Sequence, residues 1–112
     1  MNLDFEDKFR NCIKKIAEIG ELYAEAKGQS WQMQELRSSI LASSMVKNGD
    51  MAVSKSEIIA KSSEGYRQYV LETAQAIKKE LSLKAQYEMW KASFEALRSL
   101  SSLEKSTQRE IG

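Results

Sequence analysis

The sequence predicts an all-α protein in which two long antiparallel helices form a helical hairpin or coiled coil, with a short helix at the turn. Three observations predict this class. No proline occurs in the 112 residues, so no helix is forced to break. Apolar side chains recur at alternating spacings of three and four, which is the period of a helix face. Glycine- and serine-containing breakers cluster in the middle of the chain, where they predict the turn. Because 112 residues make at most one domain, we expect a single helical domain over residues 1–112.

The first long helix is predicted over about residues 3–47. Its core-facing stripe consists of Phe5, Phe9, Cys12, Ile16, Ile19, Tyr23 and Ala26. Ile13 and Leu22 are expected to widen this stripe. The main alternative is a break at residues 28–30, because a glycine inside a helix costs about 1 kcal/mol relative to alanine. We favour a continuous helix through Gly28, since no proline follows and the apolar repeat resumes at once.

The turn and short helix are predicted over about residues 48–63. Asn48-Gly49-Asp50 is a turn sequence, and its glycine suits a left-handed helix end. Ser54 and Glu57 have the spacing of a capping box, in which a serine hydroxyl and a glutamate satisfy the free amides of a new helix. A second interruption and a second cap are expected at residues 62–65.

The second long helix is predicted over about residues 64–108. Its apolar pattern is Tyr66, Val70, Thr73, Ile77, Leu81, Tyr87, Trp90, Phe94 and Leu97. A ladder of alternating charges follows another face, namely Glu80, Lys84, Glu88, Lys91, Glu95 and Arg98. Pairs at these spacings are helix-surface neighbours, which favours a solvated face over a charged docking strip.

The hairpin also predicts a register, in which paired positions sum to about 111 when the turn is its centre. Small residues of the first helix would then face larger ones of the second: Gly20, Ala24 and Gly28 opposite Lys91, Tyr87 and Leu83. We expect substitution of Gly20 by leucine to destabilise this packing.

The composition argues against an enzyme. There is no histidine, the commonest acid/base group and metal ligand, and the lone Cys12 lies on the apolar stripe, where a small hydrophobe is expected. Glu18, Glu21 and Glu25 are spaced on one helix face, but a di-iron bundle also requires Glu-x-x-His pairs. The glycines are dispersed and form no phosphate-binding loop. We therefore predict no catalytic residues, no metal and no cofactor.

Nucleic-acid binding is the less favoured alternative. The candidate basic residues are Lys8, Arg10, Lys14, Lys15, Lys78 and Lys79, and four aromatic side chains offer stacking surfaces: Trp31, Tyr66, Tyr69 and Trp90. However, 17 basic and 16 acidic residues leave a net charge of +1, and acids intersperse the basic segments. The aromatic residues fall mostly on apolar stripes, where a core position is expected.

Membrane association and export are not expected. No apolar run approaches the roughly 20 residues of a membrane span. The opening MNLDFEDKFR contains acidic residues and no apolar signal core. We expect a cytoplasmic protein.

Binding to a protein partner suits the chain better, with Trp31, Met33, Met45 and Met51 as candidate partner-binding residues. They lie at the edges of the apolar stripes, and methionine and tryptophan are common at adaptable interfaces. The competing interpretation is that they cap the hairpin's own core or a homodimer seam. A homo-oligomer would satisfy both interpretations.

Four segments carry a resemblance to a family: ELYAEAK at 21–27, KSE at 55–57, SSEGY at 62–66 and YEMWKASFEALR at 87–98. In their order and spacing they resemble small helical proteins encoded in the early gene clusters of tailed phages and prophages. The resemblance covers residues 18–109. It implies an all-helical fold, the cytoplasm of a bacterial host, and a genomic setting near single-strand-annealing recombinases and single-strand-binding proteins. It implies no active residues.

The expected function is that of a non-enzymatic accessory protein that acts through protein–protein contacts and modulates DNA recombination, replication or a host defence nuclease. One alternative is a DNA-binding accessory to single-strand annealing. Another is a structural homo-oligomer.

Overall fold

The computed structural model describes residues 3–111, with side chains described for residues 4–109, so residues 1, 2 and 112 of the predicted domain lie outside it. The chain forms four helices in the order α1 (Leu3–Glu35), α2 (Arg37–Val46), α3 (Val53–Lys61) and α4 (Glu64–Ile111). Residues 3–111 contain no strand, and the predicted all-helical class is confirmed.

The first predicted helix continues through Gly28 but is interrupted at Leu36. Two backbone bonds still bridge the interruption, from Leu36 N to Gln32 O at 3.1 Å and from Ile40 N to Leu36 O at 2.9 Å. The Tyr69 hydroxyl donates to Met33 O, the carbonyl that the Arg37 amide would use in a regular helix. A side chain that enters the backbone ladder is a recognised cause of helix bending. The expected single helix over 3–47 is therefore two segments.

The turn after α2 has the predicted left-handed glycine, since Gly49 has a φ of 70° and its amide donates to Val46 O at 3.3 Å. The predicted capping box after it is wrong. Ala52, not Ser54, is the N-cap residue of α3, and it makes no side-chain cap bond. Instead, the buried Ser56 makes a polar contact between α3 and α2: its hydroxyl donates to Met45 O at 3.3 Å.

Asn48 completes this connection between α2 and α3. Its Nδ2 donates to the carbonyl oxygen of Ser56 at 3.0 Å and to Ser56 Oγ at 3.2 Å. Asn48 thereby ties the residue after α2 to Ser56, whose own bond to Met45 O satisfies one of the carbonyls that the end of α2 leaves without an intrahelical partner.

The second predicted cap is confirmed at the start of α4. The Tyr66 amide donates to Ser63 Oγ at 3.3 Å, and the Ser63 hydroxyl donates to Ala60 O at 2.6 Å. Ser63 is thus the N-cap residue of α4. Its hydroxyl also bonds to a carbonyl at the end of α3.

The chain divides into two compact units, which we describe separately. In unit 1, residues 3–24 of α1 pack on residues 81–111 of α4. The rings of Phe9 and Phe94 meet edge to face at 5.4 Å between centroids, and those of Tyr23 and Tyr87 lie 6.0 Å apart. Rising numbers in α1 pair with falling numbers in α4, so the two segments run antiparallel within the unit.

The predicted α1 stripe lies inward along both units, with every member from Phe5 to Ala26 buried or half-buried. Ile13 and Leu22 do not widen it, because they are exposed.

The expected register is wrong by about one helical turn at Gly20. A Cβ built on Gly20 would lie 2.9 Å from Tyr87 Cε1, so Gly20 faces Tyr87 rather than Lys91. Lys91 Nζ instead lies 5.2 Å from the centre of the Tyr87 ring. This arrangement keeps the ammonium group at the surface, where it is not desolvated, and places the ring against the glycine. A Cβ on Gly28 would meet nothing within 4 Å.

Unit 2 spans residues 25–80 and includes α2 and α3. Its buried residues are Ala26, Ser30, Ser56, Ala60, Tyr66 and Tyr69. The rings of Tyr66 and Tyr69 lie 6.1 Å apart, on the first turns of α4. A concave surface of unit 2 lies beside this pair of rings.

Candidate functional site

The candidate site is a groove of about 460 Å³ in unit 2, which we call the tyrosine groove. It lies between the junction of α1 with α2 and the first turns of α4. Its lining residues are Gln34, Arg37, Tyr66, Tyr69, Val70, Thr73, Ala74 and Ile77. Aromatic, aliphatic and polar side chains therefore share one open surface.

Local bonds fix the α4 wall of the tyrosine groove. The Ser63 cap sets where α4 begins. Tyr69 is 7% exposed and is anchored by its bond to Met33 O, while the Thr73 hydroxyl donates to Tyr69 O at 2.8 Å. Buried tyrosine hydroxyls are stable only where they find a hydrogen-bond partner, so this contact fixes the ring as well as the bend after α1.

The apolar part of the groove is a row on one face of α4. Val70, Ala74 and Ile77 are spaced by four and three residues, which places them side by side on the helix surface. Val70 is exposed and Ile77 is half-buried. The small Ala74 lies between two larger aliphatic side chains, which leaves a depression in the middle of the row.

Arg37 is the only charged residue in the lining. A hydrogen bond with the Tyr66 side chain, reinforced by electrostatic attraction to Tyr66, raises the pKa of Arg37 above its usual value. Its guanidinium forms no salt bridge with any carboxylate of residues 4–109. The groove thus has a permanent positive charge beside an apolar row.

The predicted partner-binding residues lie at separate places in unit 2. Trp31 is 62% exposed and lies about one helical turn before Gln34, a residue of the groove lining, but it is not itself part of that lining. Met33 is half-buried, and with Gln29, Gln32 and Leu36 it lines another shallow groove. Met45 is half-buried at the α2 end, and Met51 is 41% exposed in the turn.

Sequence reasoning did not identify Arg37 and Gln34 as site residues, and it placed Tyr66 and Tyr69 in a core or a base-stacking surface. The available signal was the spacing of Trp31, Gln34 and Arg37, which are three residues apart. That spacing predicts a common face only if the helix continues. Because the helix is interrupted at Leu36, the spacing alone does not place Arg37 on the same face as Gln34.

The candidate nucleic-acid residues are divided between the two units. Unit 1 contains Lys8, Arg10, Lys14 and Lys15, and unit 2 contains Lys78 and Lys79. In unit 1, Arg10 lies 4.0 Å from Glu6 and Lys15 lies 3.9 Å from Glu18. Neighbouring acids therefore offset part of the positive charge of this segment.

Within residues 4–109, no three His, Cys, Asp or Glu side chains are grouped so that they could hold a metal ion. Cys12 is buried in unit 1. No helix within residues 3–111 combines the length and apolar character needed to cross a bilayer.

No family model, no curated protein and no solved structure matches this chain. The resemblance to helical phage proteins stays a prediction from the sequence.

Proposed function

We propose that this chain is a non-enzymatic helical accessory protein that binds another protein through the tyrosine groove. The observation that carries the proposal is the grouping of Arg37, Tyr66 and Tyr69 around an apolar row, with the exposed Trp31 one helical turn before Gln34 of the lining. Tryptophan, tyrosine and arginine contribute most of the binding energy at protein interfaces, particularly in pockets beside apolar surface.

The shape of the groove favours a helix as the bound element. Its apolar row follows the period of α4, and a partner helix offers side chains at the same spacing. The biological setting proposed is DNA recombination, DNA replication or control of a host defence nuclease in the bacterial cytoplasm. This setting rests on the sequence resemblance alone.

We also infer that α1 and α4 run antiparallel over their length as a helical hairpin, with α3 at the turn. The antiparallel order of the ring pairs in unit 1 and the Tyr69–Met33 bond in unit 2 support this fold. Pulsed electron paramagnetic resonance on spin-label pairs tests it. Labels at Lys14 and Lys91 should be close, whereas labels at Lys14 and Lys55 should be far apart. Equal distances for the two pairs would contradict the hairpin.

Site-specific photo-cross-linking tests the binding function. A benzophenone side chain introduced at Trp31 should cross-link to a partner in lysate of a bacterial host, and Ala74→Arg should abolish that product because it fills the depression in the groove. The matched control is a benzophenone at Ile58, which is as exposed as Trp31 but lies on α3 outside the groove. Circular dichroism checks that Ala74→Arg folds.

Two results would contradict this proposal. One is the same product from the Ile58 probe. The other is a product from the Trp31 probe that Ala74→Arg leaves unchanged. The competing DNA-binding function is tested in parallel by gel shift with single-stranded and duplex DNA, because direct binding to phosphates weakens steeply as salt rises.

A structural homo-oligomer is the second candidate, and an exposed apolar face in unit 1 favours it. Met89, Ala96, Leu100 and Leu103 lie on one face of α4 by helical spacing, and all four are exposed. Sedimentation equilibrium should then show self-association that is reduced in the Leu100→Lys, Leu103→Lys double variant. A monomer at all concentrations would remove this candidate.

A further inference from the structure

The charge of the tyrosine groove is unbalanced. Among its eight lining residues, Arg37 carries a charge and no acidic side chain is present. Glu72 lies between groove residues in sequence, but it lines a separate groove and accepts a hydrogen bond from Gln68 at 3.1 Å. The groove therefore offers a cation without an intramolecular carboxylate.

The chemistry of this cation favours a carboxylate as its ligand. A guanidinium is planar and presents paired N–H groups that match the two oxygens of a carboxylate. Arg37 and the buried Tyr66 both line the groove, and attraction between the two side chains raises the pKa of Arg37. A cation therefore shares the lining with the apolar row.

The apolar row defines the rest of the ligand. Val70, Ala74 and Ile77 form a ridge with a depression at its centre, and an aliphatic side chain of a second helix fits such a depression. On the α1 side, the exposed Trp31 lies about one helical turn before Gln34 of the lining. A ligand that covers both features must be amphipathic and must place a negative charge next to its apolar face.

We propose that the tyrosine groove binds an amphipathic helix of a partner protein that presents apolar side chains at spacings of three and four and an aspartate or glutamate that pairs with Arg37. This inference rests on the proposed function, and it specifies the chemistry of the partner at the same site.

Selection from a display library of short helical peptides tests the inference. The library randomises one helix face and is selected against the folded full-length chain. We expect the enriched peptides to combine an acidic residue with two or three apolar residues at helical spacing. Fluorescence anisotropy of an enriched peptide should show affinity weakened by at least about tenfold in Arg37→Glu, because the variant places two like charges together.

A charge swap makes the test specific. Replacing the acidic residue of the peptide by lysine should restore affinity for Arg37→Glu and weaken affinity for the unchanged protein. The control variant is Lys55→Glu, which makes the same change of charge at an exposed position of α3 outside the groove lining. It should leave the affinity of the original peptide within about twofold, since charges outside the contact are screened by solvent and salt.

The outcomes separate the two proposals. Peptides that lose binding in Ala74→Arg but lack an acidic residue and tolerate Arg37→Glu would overturn the acidic-helix inference and support the groove as a binding site. Peptides whose binding tolerates both variants, or a library without any enriched peptide, would contradict both proposals.

Discussion

The two units of this protein use the same helices but are held together differently. Among residues 4–24 and 81–109 of unit 1, Cys12 and Ser101 are buried, and the ring pairs Phe9–Phe94 and Tyr23–Tyr87 join the two helices. Unit 2 has six buried residues, of which four are serines or alanines. Its elements are also joined by hydrogen bonds from Tyr69, Asn48 and Ser56.

The difference shows which parts of the fold apolar periodicity can stabilise and which parts also need polar contacts. Apolar periodicity and ring packing suffice where two helix segments run side by side, as in unit 1. Where the chain turns, helix ends leave polar backbone groups that side chains must satisfy. In unit 2, hydroxyl and amide side chains satisfy these backbone groups. One of the irregular backbone segments that they stabilise is the α1–α2 junction, which borders the tyrosine groove.

The grooves of the two units differ in the charged side chains that line them. Unit 1 has a groove of about 490 Å³ in which Arg98 pairs with Glu95, and a second groove, of about 330 Å³, that includes Lys8, Cys12 and Trp90. The charged group of this second groove is a lysine, a compact charge on a flexible stem. The tyrosine groove of unit 2 instead has Arg37, which pairs with no carboxylate of residues 4–109. This difference is the reason that the proposed partner site lies in unit 2.

The largest expected effect tests ring packing in unit 1. Phe94→Ala removes the edge-to-face contact with Phe9 and leaves a cavity between α1 and α4. We expect a loss of about 2–3 kcal/mol of unfolding free energy, below the roughly 3–5 kcal/mol of a fully buried ring, because both rings are half-buried. Urea denaturation followed by circular dichroism measures it. Phe94→Leu keeps most of the apolar volume and should cost less than half as much; equal losses would contradict the cavity explanation, because they would mean that aliphatic volume cannot replace the ring.

A smaller effect tests the close approach of the helices at Gly20. Gly20→Leu forces side-chain atoms into the Tyr87 ring, and overpacking of this kind costs about 1–3 kcal/mol. Gly28→Leu is the matched control on the same helix, where nothing lies within 4 Å of an added Cβ. The control should stabilise the protein by up to about 1 kcal/mol, because leucine favours helix more than glycine does. Identical melting temperatures for the two variants would refute the Gly20–Tyr87 contact.

A matched pair of hydroxyl deletions compares the two units directly. Tyr69→Phe removes the bond to Met33 O in unit 2 and should cost about 1 kcal/mol. Tyr87→Phe makes the same change in unit 1, where the ring packs on Gly20 and Tyr23, and should change stability by less than about 0.5 kcal/mol.

Hydrogen exchange sharpens this comparison. Without the Tyr69 hydroxyl, Met33 O is free to accept from the Arg37 amide, so exchange of that amide should slow as the helix becomes continuous. Faster exchange at Arg37 in Tyr69→Phe would indicate that the hydroxyl stabilises the junction without causing the bend.

The smallest effects are expected from surface ion pairs, which should not distinguish the units. Glu95→Gln in unit 1 removes a 3.2 Å pair with Arg98, and Glu57→Gln in unit 2 removes a 2.9 Å pair with Lys61. Both pairs are exposed helix neighbours, so each change should cost no more than about 0.5 kcal/mol and should fade at high salt. A loss above about 1 kcal/mol in either variant would mean that charge contributes to the difference between the units.

Local features of the chain were predictable from the sequence. The absence of proline and the spacing of apolar residues predicted the helices, the α1 stripe and the start of α4 at residue 64. The left-handed turn at Gly49 and the Ser63 cap were also predictable, because each depends on residues within a few positions along the chain. Trp31 was identified as a candidate for partner binding from its place at the edge of the stripe.

The tertiary structure alone decided the interruption at Leu36, the use of Ser56 in place of Ser54, the contact of Gly20 with Tyr87, and the position of Arg37 in a groove. Each depends on groups far apart in sequence: the Tyr69–Met33 bond joins residues separated by 36 positions. Periodicity fixes which face of a helix is apolar, because that face follows from neighbours three and four residues away. It leaves open the axial register and the polar contacts between elements, since these are set by which side chains fit and which backbone groups remain unbonded once the helices meet.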